Sequence, residues 1–328
     1  MVVPISEIKR LTIELNNGPM PKINWTELRT SLIGDAARTG SMPSIRLPAL
    51  PRAVTDFCRK AEDPKSGPAD LAKIIEADSG LTAELLKAAN SSQSGSRNRY
   101  ATARQAISRI GIRNSKILLM AAAAHGIMRA SQSKLLNMSI FCHKSLERAV
   151  FARHVATHLK CDGDLAFAGA LLVDVVLPTL ANEQLSRYSE FSESGEAKGW
   201  RLTEFERQHF GWDHAIAAAY VMLGWGLPDE LVCCVLLHHV GPRLLDDPEL
   251  GRSEAAAVLA SAWIPDFPLQ EPKGFDWLQS LESRWPGWDL MATAEATDAS
   301  LKELGMPERQ VHSLLKICQK RLMPVDAV

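Results

Sequence analysis

Two groups of side chains in this 328-residue chain could do chemistry. The first is a set of histidines together with one carboxylate embedded in an apolar run. Asp174 sits in Gly169-Ala170-Leu171-Leu172-Val173-Asp174-Val175-Val176. Such surroundings bury the carboxylate, and a buried charge needs a hydrogen-bonding or cationic partner. His238-His239 is a doublet, and His154 and His158 are spaced i, i+4. Imidazole and carboxylate together could hold zinc or a similar cation. The plainer alternative is a polar network in which His143 and Asp174 hydrogen-bond across two helices. His125, His154 and His158 read as core or surface residues. His209, five residues before His214, reads as solvent-exposed.

The second group is a basic tract. No acidic residue occurs between Glu84 and Glu147, an interval that holds Arg97, Arg99, Arg104, Arg109, Arg113 and Lys116 among its cations. Arg109, Arg113 and Lys116 would share a face if a helix ran through Gly111. The tract could bind an anion such as a nucleotide, RNA or an acidic protein segment. Residues 102–128 have a helix-break-helix outline of the kind that reads DNA. Against this, Ile107, Ile110, Ile112, Ile117 and Leu118 look like packing residues. A solvated face that pairs with the acid-rich stretch 165–206 is an equal reading.

These groups must be positioned by helices. Apolar residues recur at three- and four-residue spacing, Ala and Leu are abundant, and no strand-length alternation stands out, so the expected fold is all-α. Helices are expected over 24–37, 52–62, 69–77, 81–90, 102–110, 113–128, 140–158 and 165–181, the last carrying Asp174 in mid-helix. Further helices are expected over 183–198, 203–210, 213–223, 228–238, 252–263, 277–284, 291–304 and 307–322. A net charge of -1 gives no global pull toward nucleic acid or anionic lipid. The longest apolar run, near 116–126, is too short for a bilayer, and no secretory signal is visible. Six cysteines without CxxC spacing predict reduced thiols in a cytoplasmic protein. Trp277, Trp285 and Trp288 near the C-terminus serve either as a partner surface or as a cap on the core, with the cap favoured.

Several ordered segments together resemble the HDOD family, the HD-related output domains of bacterial signalling proteins. They are Leu47-Pro48-Ala49-Leu50-Pro51, the stretch 71–91 running from Leu71-Ala72-Lys73 to Ala89-Asn90-Ser91, Ala106-Ile107-Ser108-Arg109-Ile110-Gly111 and Cys142-His143-Lys144-Ser145. The segment 169–176, Gly211-Trp212-Asp213-His214-Ala215, Trp225-Gly226-Leu227-Pro228 and His238-His239 extend the match. The resemblance implies a multi-helix HD-like domain over 45–263, with an N-terminal helical subdomain (45–130) and an HD-like subdomain (131–263). A variable leader (1–44) precedes it and a C-terminal helical extension (264–328) follows.

In HD hydrolases a His, a His-Asp doublet and a later Asp bind a divalent metal, which polarises a phosphoryl oxygen and acidifies bound water. The resemblance places His143 at the first position, Val173 at the second, Asp174 at the third and Ser261 at the last. Val173 cannot ligate, and Ser261 replaces a carboxylate. Histidines of two-metal relatives correspond to His214 and His238-His239. So His143, Asp174, His214, His238 and His239 are expected to line a residual pocket, with no cofactor beyond a weakly held divalent metal. The reading that follows is a non-catalytic signalling module for a protein partner or small anionic ligand. A metal-dependent phosphodiesterase using the residual cluster is the alternative, and a nucleic-acid-binding regulator using the basic tract is the second. No membrane association is expected.

Overall fold

The structure, a computed structural model, describes residues 23–39, 45, 47–90, 99–266, 270–305 and 313–322. Among these residues there are α-helices and short 3-10 turns and no strand. Helix α1 (Trp25–Thr39) docks on α13 (Asp229–Leu237), where Arg29 Nε lies 3.0 Å from Asp229 Oδ1. A first group of helices follows: α2 (Arg52–Ala61), α3 (Pro68–Glu76), α4 (Ser79–Asn90), α5 (Ala103–Ile110) and α6 (Ile112–Ala130). Local chemistry sets these ends. Pro68 opens α3, where the Asp70 carboxylate accepts from Gly67 N at 3.2 Å. Thr102 and Gln105 form a reciprocal cap on α5. Gly111, at φ 86°, breaks the chain between α5 and α6, so Arg109 does not continue one helical face into Arg113 and Lys116.

The centre of the molecule is α7 (Met138–Leu159), which packs against α8 (Gly163–Leu172), α14 (Glu254–Ala262) and α16 (Leu290–Glu303). Helix α8 in turn packs on α6, α13 and α14. Between them come α9 (Leu177–Glu183), α10 (Leu185–Lys198), α11 (Leu202–Phe210) and α12 (His214–Gly224). Buried Arg153 of α7 joins the first group to the second. Its guanidinium donates to Ala88 O at 2.9 Å and Asp164 Oδ1 at 2.7 Å and lies 4.2 Å over the Phe167 ring.

The helix expected over 165–181 is two helices. Pro178 sits in the first turn of α9, has no N–H to donate and crowds the carbonyl four residues back, which is that of Asp174. Helix α8 therefore ends at Leu172, and residues 173–176 form a turn in which Leu177 N donates to Asp174 O at 3.0 Å. The stretch Gly163–Glu183 is long and apolar enough to cross a membrane, contrary to the expectation that the longest apolar run lies near 116–126. It is split by this turn, and 89% of its most apolar window is buried inside the fold. All six cysteines are free thiols.

Helices α15 (Gly274–Arg284), α16 and α17 (Leu314–Leu322) close the described chain. Trp285 and Trp288 are buried edge to face at 5.7 Å, and Trp288 meets Phe151 of α7 edge-on at 6.5 Å, so these tryptophans cap the core.

Gly169 is where α8 approaches its neighbours most tightly. A Cβ there would lie 2.9 Å from Val258 Cγ2 and 3.1 Å from Cys234 Cβ, whereas one at Gly126 in α6 meets nothing within 4 Å. Gly169→Ala should destabilise by about 1–3 kcal/mol through overpacking, and Gly126→Ala should stabilise by about 0.5–1 kcal/mol. Urea unfolding of the two variants beside the parent checks both signs.

Candidate functional site

The turn that Pro178 enforces presents Asp174, 2% exposed, to α7. The residue it meets there is Arg148, also buried. The Arg148 guanidinium donates through Nη1 to Asp174 Oδ2 and through Nη2 to Asp266 Oδ2. Gln270 reinforces the pair, its Nε2 lying 2.9 Å from both of those oxygens. Burial opposes the charge on Asp174, but Arg148, then His214 and His238, outweigh it and hold the carboxyl below its ordinary value.

Three imidazoles complete the cluster. His214, fully buried, is the first residue of α12, a helix capped by Asp213. Both its backbone N and its Nδ1 meet Glu206 Oε2, at 2.9 and 2.7 Å, and Tyr188 Oη donates to Glu206 Oε1 at 2.6 Å. His238, at the end of α13, has Nδ1 2.5 Å from Val235 O. A carbonyl and a carboxylate accept, so both Nδ1 atoms carry the proton. In the neutral rings each Nε2 is then a lone pair, and the two face each other at 3.2 Å. Such a contact needs a cation between or upon them. His239 Nε2 lies 3.1 Å from His214 Nε2 and 3.2 Å from Gln270 Oε1.

A proton on His214 Nε2 supplies that cation. Burial disfavours it, but Glu206 and then Asp174 and Asp213 prevail and raise His214 to about 9. Burial and the charge on His214 push His238 down to about 4. Burial, His238 and His214 drive His239 well below its ordinary value. The same atoms also fit a divalent ion. His214, His238 and His239 offer nitrogens within 4.8 Å of one another. Asp174 Oδ1, 3.5 Å from His214 Nε2, is buried with no hydrogen-bond donor among the described residues. Separations of this size match the edges of a tetrahedron around an ion about 2.1 Å from each ligand, and Glu206 on His214 Nδ1 is the outer carboxylate such a ligand ordinarily has.

The other expected residues fall as follows. His143 is not brought to the cluster. It is half-buried on α7, where burial and then Lys144 lower its pKa against Asp298. Five residues further on is about 140° around the helix, and there stands Arg148, which takes the place at Asp174. Val173 is buried in the core, and the Ser261 hydroxyl donates to Val258 O at 2.7 Å within its own helix. His209 is half-buried rather than exposed, 4.1 Å from the Phe205 ring with Nδ1 2.8 Å from Phe205 O. His154 meets Ser300 at 3.1 Å and His158 lies against Trp285. Of the basic residues, Arg113 pairs with Asp162 and Glu230, Lys116 with Glu62, and Arg99 with Glu303. Arg104 and Arg109 are exposed, and Arg97 lies outside the described residues.

The site residues that the sequence did not single out are Arg148, Glu206, Asp266 and Gln270. One signal was present for Arg148: a charge flanked by Leu146, Ala149, Val150 and Phe151 in a long amphipathic helix must be buried, and so must be paired.

The profile of the HDOD domain matches residues 47–240. An uncharacterised protein of Treponema pallidum is 24% identical over 205 residues, which is 60% of this chain and 38% of that relative's length. Among solved structures, a provisionally designated metal-dependent phosphohydrolase of Shewanella amazonensis is 17% identical with a TM-score of 0.57, covering 86% of this chain and 99% of the other. A provisionally designated signal transduction protein of Marinobacter aquaeolei is 18% identical with a TM-score of 0.51, covering 92% of this chain and 67% of the other. The structural likenesses show the all-α, HD-like fold, and the sequence match over more than half the chain shows that it belongs to the HDOD domain family.

Proposed function

We propose that this chain is a non-catalytic regulatory module that responds to a signalling protein or a small ligand. The observation that carries this reading is the Arg148 guanidinium between Asp174 and Asp266. Hydrolysis on this fold needs a dication that keeps a position open for water and a phosphoryl oxygen. Here a fixed internal cation already neutralises Asp174, and Gln270 covers the same carboxylate. Val173 has no lone pair to add, and Ser261 is turned back onto its own helix. The provisional designation of the Marinobacter relative as a signal transduction protein agrees with this role.

The converging lone pairs of His214 and His238 favour a second reading, in which a divalent ion is held by His214, His238, His239 and Asp174 Oδ1. Bound there, it would supply charge compensation within a buried, four-ligand set. Elemental analysis of protein purified without chelator, paired with cyclic-dinucleotide and generic phosphodiester assays, separates these readings. The expected result is no turnover. Full metal occupancy with turnover that Asp174→Ala abolishes would overturn the non-catalytic reading.

Removing the internal cation leaves two buried carboxylates facing each other. Arg148→Ala should cost about 3–5 kcal/mol, and Asp174→Asn added to it should recover part of that loss, as read from urea midpoints in a double-mutant cycle.

The histidines give a pH signature. His214 is raised from 6.5 to about 9 on folding, so its contribution is complete below pH 6.5 and is lost as pH rises through 9. His238 is lowered to about 4, so the unfolded chain takes up that proton first and stability falls as pH drops below 6.5. Glu206→Gln removes the charge that holds the His214 proton and should flatten the alkaline limb. A constant stability difference between parent and variant from pH 6.5 to 10 would contradict this assignment.

A further inference from the structure

The basic tract is mostly consumed by the fold. Arg99 is paired with Glu303, Arg113 with Asp162 and Glu230, Lys116 with Glu62, Arg129 with Glu84 and Lys144 with Glu147. Arg104 and Arg109 are different. Both are exposed and neither has an acidic partner among the described residues. The segment 91–98, which precedes Arg99 in the chain, contains Arg97 and no acid that could supply one.

These two arginines flank an open surface depression of about 440 Å³ lined, among the described residues, by Arg99, Tyr100, Arg104, Gln105, Ser108 and Arg109. Helix α5 provides one wall. At about 100° per residue, Arg104, Ser108, Gln105 and Arg109 stand near 0°, 40°, 100° and 140°, so the two arginines share one side of the helix with the Gln105 amide and the Ser108 hydroxyl. Gln105 is held in place because its Oε1 accepts from Ala101 N at 2.9 Å and Thr102 N at 3.3 Å, which leaves its Nε2 donors for a ligand. Among the described residues, no carboxylate lines the depression. Arg99 is held from behind by Glu303 of α16, with Nη2 2.8 Å from Oε2.

We infer that this depression is a binding site for a compact polyanion carrying two or more phosphoryl groups, of the nucleoside-triphosphate class. Arg104 and Arg109 supply charge and paired N–H donors, the form in which guanidinium recognises phosphate, and Gln105 Nε2 and the Ser108 hydroxyl donate between them. The open depression with its two arginines suits a small anion held at the surface. It does not suit a nucleic-acid strand, whose binding needs cations along a track of many phosphates. The positive surface ends at Arg109, because Gly111 turns the chain and Arg113 and Lys116 are spent on acids. The regulatory meaning of the site rests on the reading above, in which the module answers a small ligand. Binding itself does not depend on that reading.

The test is calorimetric titration of the full chain with ATP and with inorganic tripolyphosphate, at low and physiological salt. One ligand per chain is expected, with affinity that weakens as salt rises. Arg104→Gln/Arg109→Gln should weaken binding by at least about tenfold without moving the melting temperature, since both side chains are exposed. Arg52→Gln, whose side chain is 92% exposed on α2, should leave binding unchanged. Absence of binding at millimolar ligand, or equal losses in the Arg52 control, would overturn the site. So would a preference for a 20-nucleotide RNA over ATP that the double variant removes, since that would make the surface a nucleic-acid interface. Turnover of the bound nucleotide that Asp174→Asn abolishes would sink the non-catalytic reading while leaving the anion site standing.

Discussion

The interior of this protein depends on one guanidinium. Arg148 places a permanent positive charge between Asp174 and Asp266, two carboxylates 92 residues apart in the chain and both withdrawn from water. Removing ions from water is costly, and the cost is recovered only when each charge meets its complement and the remaining polar atoms are hydrogen-bonded. Gln270 meets the second condition by donating to both carboxylates and accepting at its oxygen from His239. The central helix α7, the turn that follows α8 and the segment beyond α14 are thereby fixed to one another by polar bonds as well as by apolar packing.

Beside this ion pair the histidines form a separate proton-sharing unit. Glu206 orients His214 and favours its charge, while His238 and His239, lacking a carboxylate of their own, stay neutral. With a single positive charge among the three imidazoles, His214 Nε2 donates to the lone pair of His238 Nε2, while the neutral His239 donates its Nε2 proton to Gln270 Oε1. The distances that permit this sharing are close to those that a metal would require, which is why one cluster supports both readings on geometry alone.

Much of the fold is legible in the sequence because helix boundaries are written in local chemistry. Pro68 after Gly67, Thr102 with Gln105, and Gly111 mark starts and stops that the structure reproduces. Asp174, His214 and His238-His239 are also legible, being polar residues in apolar or patterned surroundings. What is not legible is pairing at long range. Nothing local announces that Arg148 rather than His143 faces Asp174, since the choice depends on the rotation of α7 against α8. Pro178 was visible, but its effect on the carbonyl of Asp174 emerges only when the chain on both sides is packed. Gln270 and Asp266 lie beyond the stretch that the family pattern covers, so no resemblance could point to them.

Gln270 has a consequence for how this molecule can open. Its side chain joins the segment after α14 to Asp174, Asp266 and His239 at once, and its own carbonyl accepts from Leu202 N at 3.0 Å. Lifting that segment strips an amide from two buried carboxylates and an acceptor from a buried imidazole in a single motion. The segment that carries Gln270 and the polar centre therefore lose these hydrogen bonds together, so exposing either one leaves the other with unsatisfied buried polar groups.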